Sequence, residues 1–274
     1  MTLSLVINTF NQSDYLRRVL QAVARQSVLP DEVLLADDGS DDETRIVFSQ
    51  WRTTQSFRCE HIRQEHQGFR RARILNRAIV ASCGDYLVFL DGDTIPHPQF
   101  IADHCAAAKR GFFVQGHRAL IEQKASVWFG KNDFFADRRR AILQNQISGL
   151  KNAFRWPFAF RTIHHSLRGI RGCNLAIWRA DLVRVNGYNE AFIGWGREDS
   201  ELAVRLMNSG VHRLDVRGRA ICYHLWHQNI SRAALADNDE RLAQAISENR
   251  TRCEQGLDQI PAFERCSVVD KPES

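Results

Sequence analysis

Three short apolar runs in the first third of the chain each end abruptly in a polar cluster, and that repetition limits the folds open to it. Leu3-Ser4-Leu5-Val6-Ile7 gives way to Asn8-Thr9-Phe10-Asn11, Glu32 to Ala36 gives way to Asp37-Asp38-Gly39-Ser40, and Tyr86-Leu87-Val88-Phe89-Leu90 gives way to Asp91-Gly92-Asp93. Each run has strand length and strand composition. Helical patterns separate them. Ser13 to Arg25 places Tyr15, Leu16, Val19, Leu20 and Val23 on one face, with Ser13 as the expected N-cap. Asp42 to Trp51 and Arg70 to Ala81 are two further predicted helices, and Cys59 to Arg63 a short strand. Strand and helix alternating at this spacing predict right-handed βαβ units: an α/β fold with a mostly parallel central sheet and helices on both faces. In such sheets ligands bind beyond the carboxyl ends of the strands, where all three polar clusters fall.

The second half is less regular. The pattern predicts a helix over Pro96 to Lys109, a strand over Phe112 to Ala119, a strand over Leu175 to Arg179 and a helix from Ala180 to Val185 that stops at Asn186-Gly187. Asp199 to Ser209 reads as a helix ended by Gly210, Arg219 to His224 as a strand and Ala233 to Gln255 as a helix. Residues 124–168 resist assignment, and the tail after Pro261 is expected to be loose. A chain of 274 residues can bury a large core as one domain with an extension. With 44% hydrophobic and 25% charged residues it has the composition of a soluble globular protein. No apolar run is long enough for a membrane helix, and Leu3 to Ile7 already reads as a strand with no basic segment before it. The expected location is therefore the cytoplasm. The seven cysteines include no Cys-x-x-Cys pair, so neither a disulfide framework nor a zinc site is indicated.

Two features point to chemistry. Asp91 and Asp93, one residue apart at a strand end, can converge on a hard divalent cation that keeps sites open for substrate phosphates; alone, the triplet reads more readily as a turn. Between Arg138 and Ala180 there is no Asp or Glu, while Arg138, Arg139, Arg140, Lys151, Arg155, Arg161, Arg168, Arg171 and Arg179 interleave with Phe154, Trp156, Phe158 and Phe160. Such a stretch suits a polyanion, a phosphorylated acceptor or an anionic membrane surface.

Val6 to Asn11, Ala36 to Asp41, Arg71 to Asn76 and Phe89 to Asp93 together resemble the inverting family-2 glycosyltransferases of the GT-A (Rossmann-like) fold. Gly187-Tyr188-Asn189-Glu190 and Gly194-Trp195-Gly196-Arg197-Glu198-Asp199 resemble the acceptor-side segment of β-1,4-galactosyltransferases and bacterial chondroitin-type polymerases. The resemblance implies a GT-A domain over residues 1–230, with a nucleotide-binding half (1–110) and an acceptor-binding half (111–230), followed by a helical extension and tail (231–274). It implies donor-nucleotide contacts from Thr9, Phe10, Asn11, Asp38, Asp91 and the cluster Arg70, Arg71 and Arg73, with Phe10 stacking on uracil and Asp38 accepting its ring N–H. Asp93 would bind Mn²⁺ or Mg²⁺, and His224 or His227 would add a ligand, His224 preferred because it follows a predicted strand. Asp199 would be the general base and Glu198 would hold substrate hydroxyls, with Trp195, Gly196 and Asn174 lining the acceptor and sugar side.

The implied activity is a metal-dependent inverting transfer of a hexose or N-acetylhexosamine from a UDP-sugar to a surface glycan such as lipopolysaccharide or capsule. The acceptor would be a glycan or lipid-linked glycan, with peripheral contact at the inner face of the membrane and no nucleic acid as partner. Two alternatives differ in class. A nucleotidyltransferase would want a glycine-rich phosphate loop after the first strand, where this chain has Asn8-Thr9-Phe10-Asn11-Gln12. A nucleic-acid- or polyanion-binding protein using residues 138–180 would leave Asp38, Asp93 and Asp199 without a purpose.

Overall fold

The computed structural model describes residues 1–156, 160–228 and 231–261. Strands β1 (Leu3–Thr9), β2 (Glu32–Asp37), β3 (Arg58–Arg63) and β4 (Tyr86–Asp91) alternate with helices α1 (Ser13–Ala24), α2 (Asp42–Arg52) and α3 (Arg71–Ala81). There follow β5 (Thr94–Pro96), α4 (Phe100–Ala107), β6 (Phe112–Gln115), β7 (His117–Ile121), α5 (Gln123–Ser126), α6 (Phe134–Leu143) and β8 (Ile147–Ser148). The chain then forms β9 (Phe160–His164), β10 (Asn174–Trp178), α7 (Arg179–Arg184), α8 (Glu198–Asn208), β11 (His212–Arg217), β12 (Ile221–His224) and α9 (Leu235–Ser247).

The large sheet runs β3-β2-β1-β4-β10-β6-β11-β9. Its first four strands are parallel, β10 is antiparallel to both neighbours, β6 and β11 are parallel, and β9 closes the edge antiparallel. The mixed α/β, mostly parallel architecture is the one expected. Alternation along each strand divides the core. Leu5 and Ile7 of β1, with Val88 and Leu90 of β4, pack under Leu16, Val19 and Leu20 of α1. Val6, Leu87 and Phe89 face the other way, against α3 and α8 through Ile74, Leu75, Leu202 and Leu206. A period of two thus gives each strand two buried faces, as a helix-covered sheet requires.

A second sheet, β5-β12-β7-β8, leans over the strand ends. Its existence corrects two expectations. Pro96 ends a strand that pairs with Cys222 of β12, so the helix predicted from Pro96 starts only at Phe100. The strand predicted over Phe112 to Ala119 is two strands in two sheets, β6 in the large one and β7 in the small. The chain changes sheet at Gly116, where a Cβ would lie 2.3 Å from Asn174 Oδ1. Asn174 is the joint. Its Nδ2 donates to the carbonyls of His117 (3.0 Å) and Ala220 (2.7 Å), and its Oδ1 lies 2.9 Å from His104 Nε2.

Other boundaries shift for local reasons. Ser13 is the first residue of α1 rather than its cap; Gln12 occupies the cap and makes no side-chain bond. Asp41 does cap α2, accepting from Thr44 N–H at 3.2 Å. Gly210 terminates α8 with φ of 81°, as its position implied. The strand β11 was not expected, and the helix expected to Gln255 ends at Ser247. The tail beyond Pro261 lies outside the described residues.

Candidate active site

A cleft of about 1160 Å³ opens where β1, β2 and β4 end and the small sheet begins. Parallel pairing sets Asn8 beside both Ala36 and Asp91, so the three polar clusters are brought to one rim by backbone register alone.

On the β2 side, Asp38 is nearly fully buried. Gln64 Nε2 donates to it at 2.6 Å and the Arg70 backbone N–H at 2.9 Å. Burial pushes its carboxyl above the ordinary value despite these bonds. Asp37, directly behind, works against burial through bonds from His61 (2.8 Å) and Ser40 N–H (2.8 Å), which hold it below the ordinary value. Gly39 turns the loop at φ 85°, and a Cβ there would meet the His66 backbone nitrogen at 2.5 Å. The turn lays His66 against Phe10, with ring centroids 4.3 Å apart and planes 13° from parallel. Phe10, Thr9, Asp38 and His66 line one end of the cleft. Asn11 lies outside the lining; it braces the loop, donating its N–H to Ser40 Oγ and accepting from Asp41 N–H.

At the centre stand Asp93, His224 and His227. Asp93 Oδ1 is 3.6 Å from His224 Nε2 and Oδ2 is 3.2 Å from His227 Nε2. One donor atom from each residue lies within 4.8 Å of the others. Two ligands at about 2.1 Å in adjacent positions on one ion stand about 3 Å apart, so these side chains fit a single divalent cation. The sequence favoured His224 over His227; the fold brings both to Asp93. The Asp93 bond lifts His227 to about 8, while burial lowers His224 to about 4.

The far wall carries the carboxylates of α8. Arg71, first residue of α3, is buried beneath them. Its Nη1 reaches Asp199 Oδ1 at 2.9 Å and Glu198 Oε1 at 3.2 Å, and its Nη2 reaches Asp91 Oδ1 at 3.4 Å. Asp199 Oδ2 accepts a 2.7 Å bond from Gly172 N–H. A Cβ on Gly172 would fall 2.2 Å from Arg71 Nη2 and 2.4 Å from Asp199 Oδ1, so a side chain there would displace the Arg71–Asp199 pair. Glu198 Oε2 is buried and has no hydrogen-bond partner among the described residues. Burial, then the charge of Asp199, raises Glu198 to about 7; burial raises Asp91 to about 6. Trp195 and Gly196 line the same wall.

The three arginines are thereby separated. Arg71 is in the cleft, Arg73 is exposed on the other side of α3, and the Arg70 side chain turns back to the Gln67 carbonyl at 3.1 Å. Arg70 contributes its backbone N–H to Asp38, and only Arg71 lines the cleft. Asn174, expected at the sugar pocket, is instead the sheet joint: it is buried, outside the cleft lining, and its side chain is bonded to protein on both ends. Sequence reasoning missed His66, Arg118, Arg232 and Glu122, all lining the cleft. His66 and Arg232 belong to no motif. Arg118 left no signal either: in the alternation of β7 it shares a face with exposed Leu120, opposite buried Ala119 and Ile121, where a polar residue is ordinary.

The family model described as Glycosyl transferase family 2 matches residues 4–171, and the one described as N-terminal domain of galactosyltransferase matches residues 158–228. A validoxylamine A glucosyltransferase from Streptomyces hygroscopicus subsp. jinggangensis is 30% identical over 76% of this chain and 52% of its own length. A chondroitin synthase from Escherichia coli is 25% identical over 81% of this chain and 34% of its own. The chain thus spans about half or less of these relatives. Among solved structures, S. aureus TarS 1-349 in complex with UDP aligns with a TM-score of 0.66 at 14% identity, covering 94% of this chain and 68% of the other. GalNAc-T7 with UDP, GalNAc and Mn²⁺ aligns with a TM-score of 0.66 at 17% identity, covering 89% and 48%. The shared architecture is the GT-A fold.

Proposed function

Because the chain belongs to glycosyl transferase family 2, we propose that it is a metal-dependent inverting glycosyltransferase that uses a UDP-sugar donor. The observation that carries this reading is the convergence, in one cleft, of the Asp93–His224–His227 triad with the Arg71-held carboxylates Glu198 and Asp199.

In this reading uracil lies by Phe10 and His66, and its ring N–H donates to Asp38. Two imidazoles and one carboxylate are a poor match to the all-oxygen preference of Mg²⁺, so Mn²⁺ is the expected cation. When bound, it neutralises charge on the diphosphate. Asp199 is the general base, its position fixed by Arg71 and Gly172 N–H. It takes the proton of the acceptor hydroxyl as that oxygen attacks the anomeric carbon. The bond from that carbon to the diphosphate breaks, and UDP leaves with the electron pair on the opposite face. One displacement converts an α-linked donor into a β-glycoside. Glu198, with its free buried oxygen, holds a substrate hydroxyl, and Trp195 offers an apolar platform to a sugar ring. The structures of TarS and GalNAc-T7 with UDP support the donor, and the Mn²⁺ in the latter supports the metal. The acceptor is a hydroxyl of a cell-surface glycan, met at the cytoplasmic face of a membrane.

The test is UDP release from a panel of UDP-sugars with Mn²⁺. Turnover of one donor that EDTA and Asp93→Ala both abolish is the expected result. Asp199→Asn should lower kcat by about 10²–10⁴ while leaving UDP affinity intact. Failure to bind UDP in the presence of Mn²⁺ would overturn the assignment.

A further inference from the structure

Five arginines of the described residues line the cleft, and their partners differ. Arg71 is held by three carboxylates, Arg197 by Asp239, and Arg232 lies 5.2 Å over the Trp195 ring. Arg118 is different. It projects from β7 into the cleft, and its only side-chain hydrogen bond among the described residues is a 3.4 Å contact from Nη1 to the Cys173 thiol, a weak acceptor. Its Nε is buried with no hydrogen-bond partner among the described residues. No carboxylate of the described residues lies within ion-pair distance of it. The charge of Asp91 reaches it from beyond that distance, yet a half-buried guanidinium with so few hydrogen bonds favours an anion that supplies them.

Position indicates which anion. Arg118 pairs in register with Cys222 of β12, two residues before His224 on the same face of the strand. Cys173 precedes Asn174, which stands opposite Leu90, so it faces Asp91 across β4. Arg118 therefore sits on the cleft floor between Asp91, Cys173 and the metal triad; with uracil by Phe10, His66 and Asp38, as proposed above, this is where the donor sugar would lie. Arg171, also lining the cleft, flanks the same floor, and its side chain is exposed.

We propose that Arg118, assisted by Arg171, is a specificity-determining residue that selects a saccharide carrying an anionic group, a hexuronate carboxylate on the donor sugar. The planar fork of a guanidinium matches a carboxylate with two parallel bonds, which a neutral hydroxymethyl group cannot supply. The inference rests on the glycosyltransferase reading and deepens it.

The experiment is titration calorimetry of the whole chain with Mn²⁺, using UDP, a neutral UDP-hexose and the matching UDP-hexuronate. The expected wild-type result is UDP-hexuronate bound about tenfold or more tighter than UDP-hexose. Arg118→Gln should erase that preference and leave UDP itself unchanged, with Arg118→Lys retaining part of it. Equal affinity of the wild type for both sugars overturns a donor carboxylate, and needs no variant. A fall in UDP affinity on Arg118→Gln overturns it too, by placing the arginine on the diphosphate. An acidic oligosaccharide that binds the UDP–Mn²⁺ complex and loses binding in Arg118→Gln, with donors undiscriminated, would move the anion to the acceptor and overturn the donor assignment. Loss of UDP binding by the wild type would instead sink the underlying glycosyltransferase reading.

Discussion

At Glu198 the fold holds a carboxyl group where water scarcely reaches it. Its pKa rises from 4.5 to about 7, first because burial disfavours the charge and then because Asp199 is adjacent. The sign of the stability effect follows. The folded state binds this proton more tightly than the unfolded chain, so the contribution is complete below pH 4.5 and is lost as pH rises through 7. Glu198→Gln removes that dependence. It should raise stability at pH 8 by roughly 1–3 kcal/mol, while activity falls because a neutral amide holds the substrate hydroxyl less tightly than a carboxylate does. Denaturant midpoints of both proteins between pH 5 and 8 measure this; parallel curves would mean that Glu198 is ionised throughout. Asp38 and Asp93 were legible in the sequence because each follows a strand-length apolar run, and Asp199 because it opens a helical pattern after a Gly-Trp-Gly turn. Asn174 and Arg118 were not. Whether an asparagine binds sugar or joins two sheets depends on His104, His117 and Ala220, which are remote in the chain.

Among elements, the loop before α8 depends on α9. Gly194 has φ of 77°, and a Cβ there would lie 2.6 Å from the Cβ of Ala234. Gly196 has φ of 109° and faces Leu235, and Arg197 is paired with Asp239. Trp195 is thus presented to the cleft by contact with a helix outside the predicted catalytic domain, residues 1–230. Gly194→Ala adds left-handed strain of about 1–2 kcal/mol and a steric clash. The expected outcome is a raised KM for the acceptor with UDP affinity preserved; steady-state kinetics beside UDP calorimetry separates the two. The elements themselves divide by what specifies them. Strands β1, β2 and β4 carry their own apolar runs and were readable. Strands β5 and β7 exist because β12 pairs with them, and β11 hides its inward face behind His212, Arg213 and Arg217, so local patterning under-reports all three.

Over the whole molecule, charge and exposed apolar surface coincide away from the cleft. On α6, Phe135 and Leu143 are 50% and 78% exposed, and with Arg139 they recur every fourth residue on one face. Arg138, Ile142 and Phe154 line a groove beside them, and Arg140 lies 4.2 Å over the Trp128 ring. Basic groups around apolar tips suit an anionic lipid surface. Co-sedimentation with vesicles containing phosphatidylglycerol should succeed at low salt and weaken in 0.5 M NaCl or on Phe135→Ser with Leu143→Ser. Binding indifferent to both would remove α6 from the membrane model. No helix of the described residues is long and apolar enough to cross a membrane.

The insertion of β10 between β4 and β6 has a consequence for how the protein is made. When β4 emerges from the ribosome, its outer edge is a bare row of unpaired backbone groups carrying mostly apolar side chains until residues 174–178 arrive to cover it. At 5–20 residues per second that interval is roughly 4–17 s, long enough for one nascent chain to pair with another. Translation pauses between residues 91 and 174 should therefore lower soluble yield more than equal pauses after residue 178, a difference that synonymous slow-codon clusters placed on either side would measure.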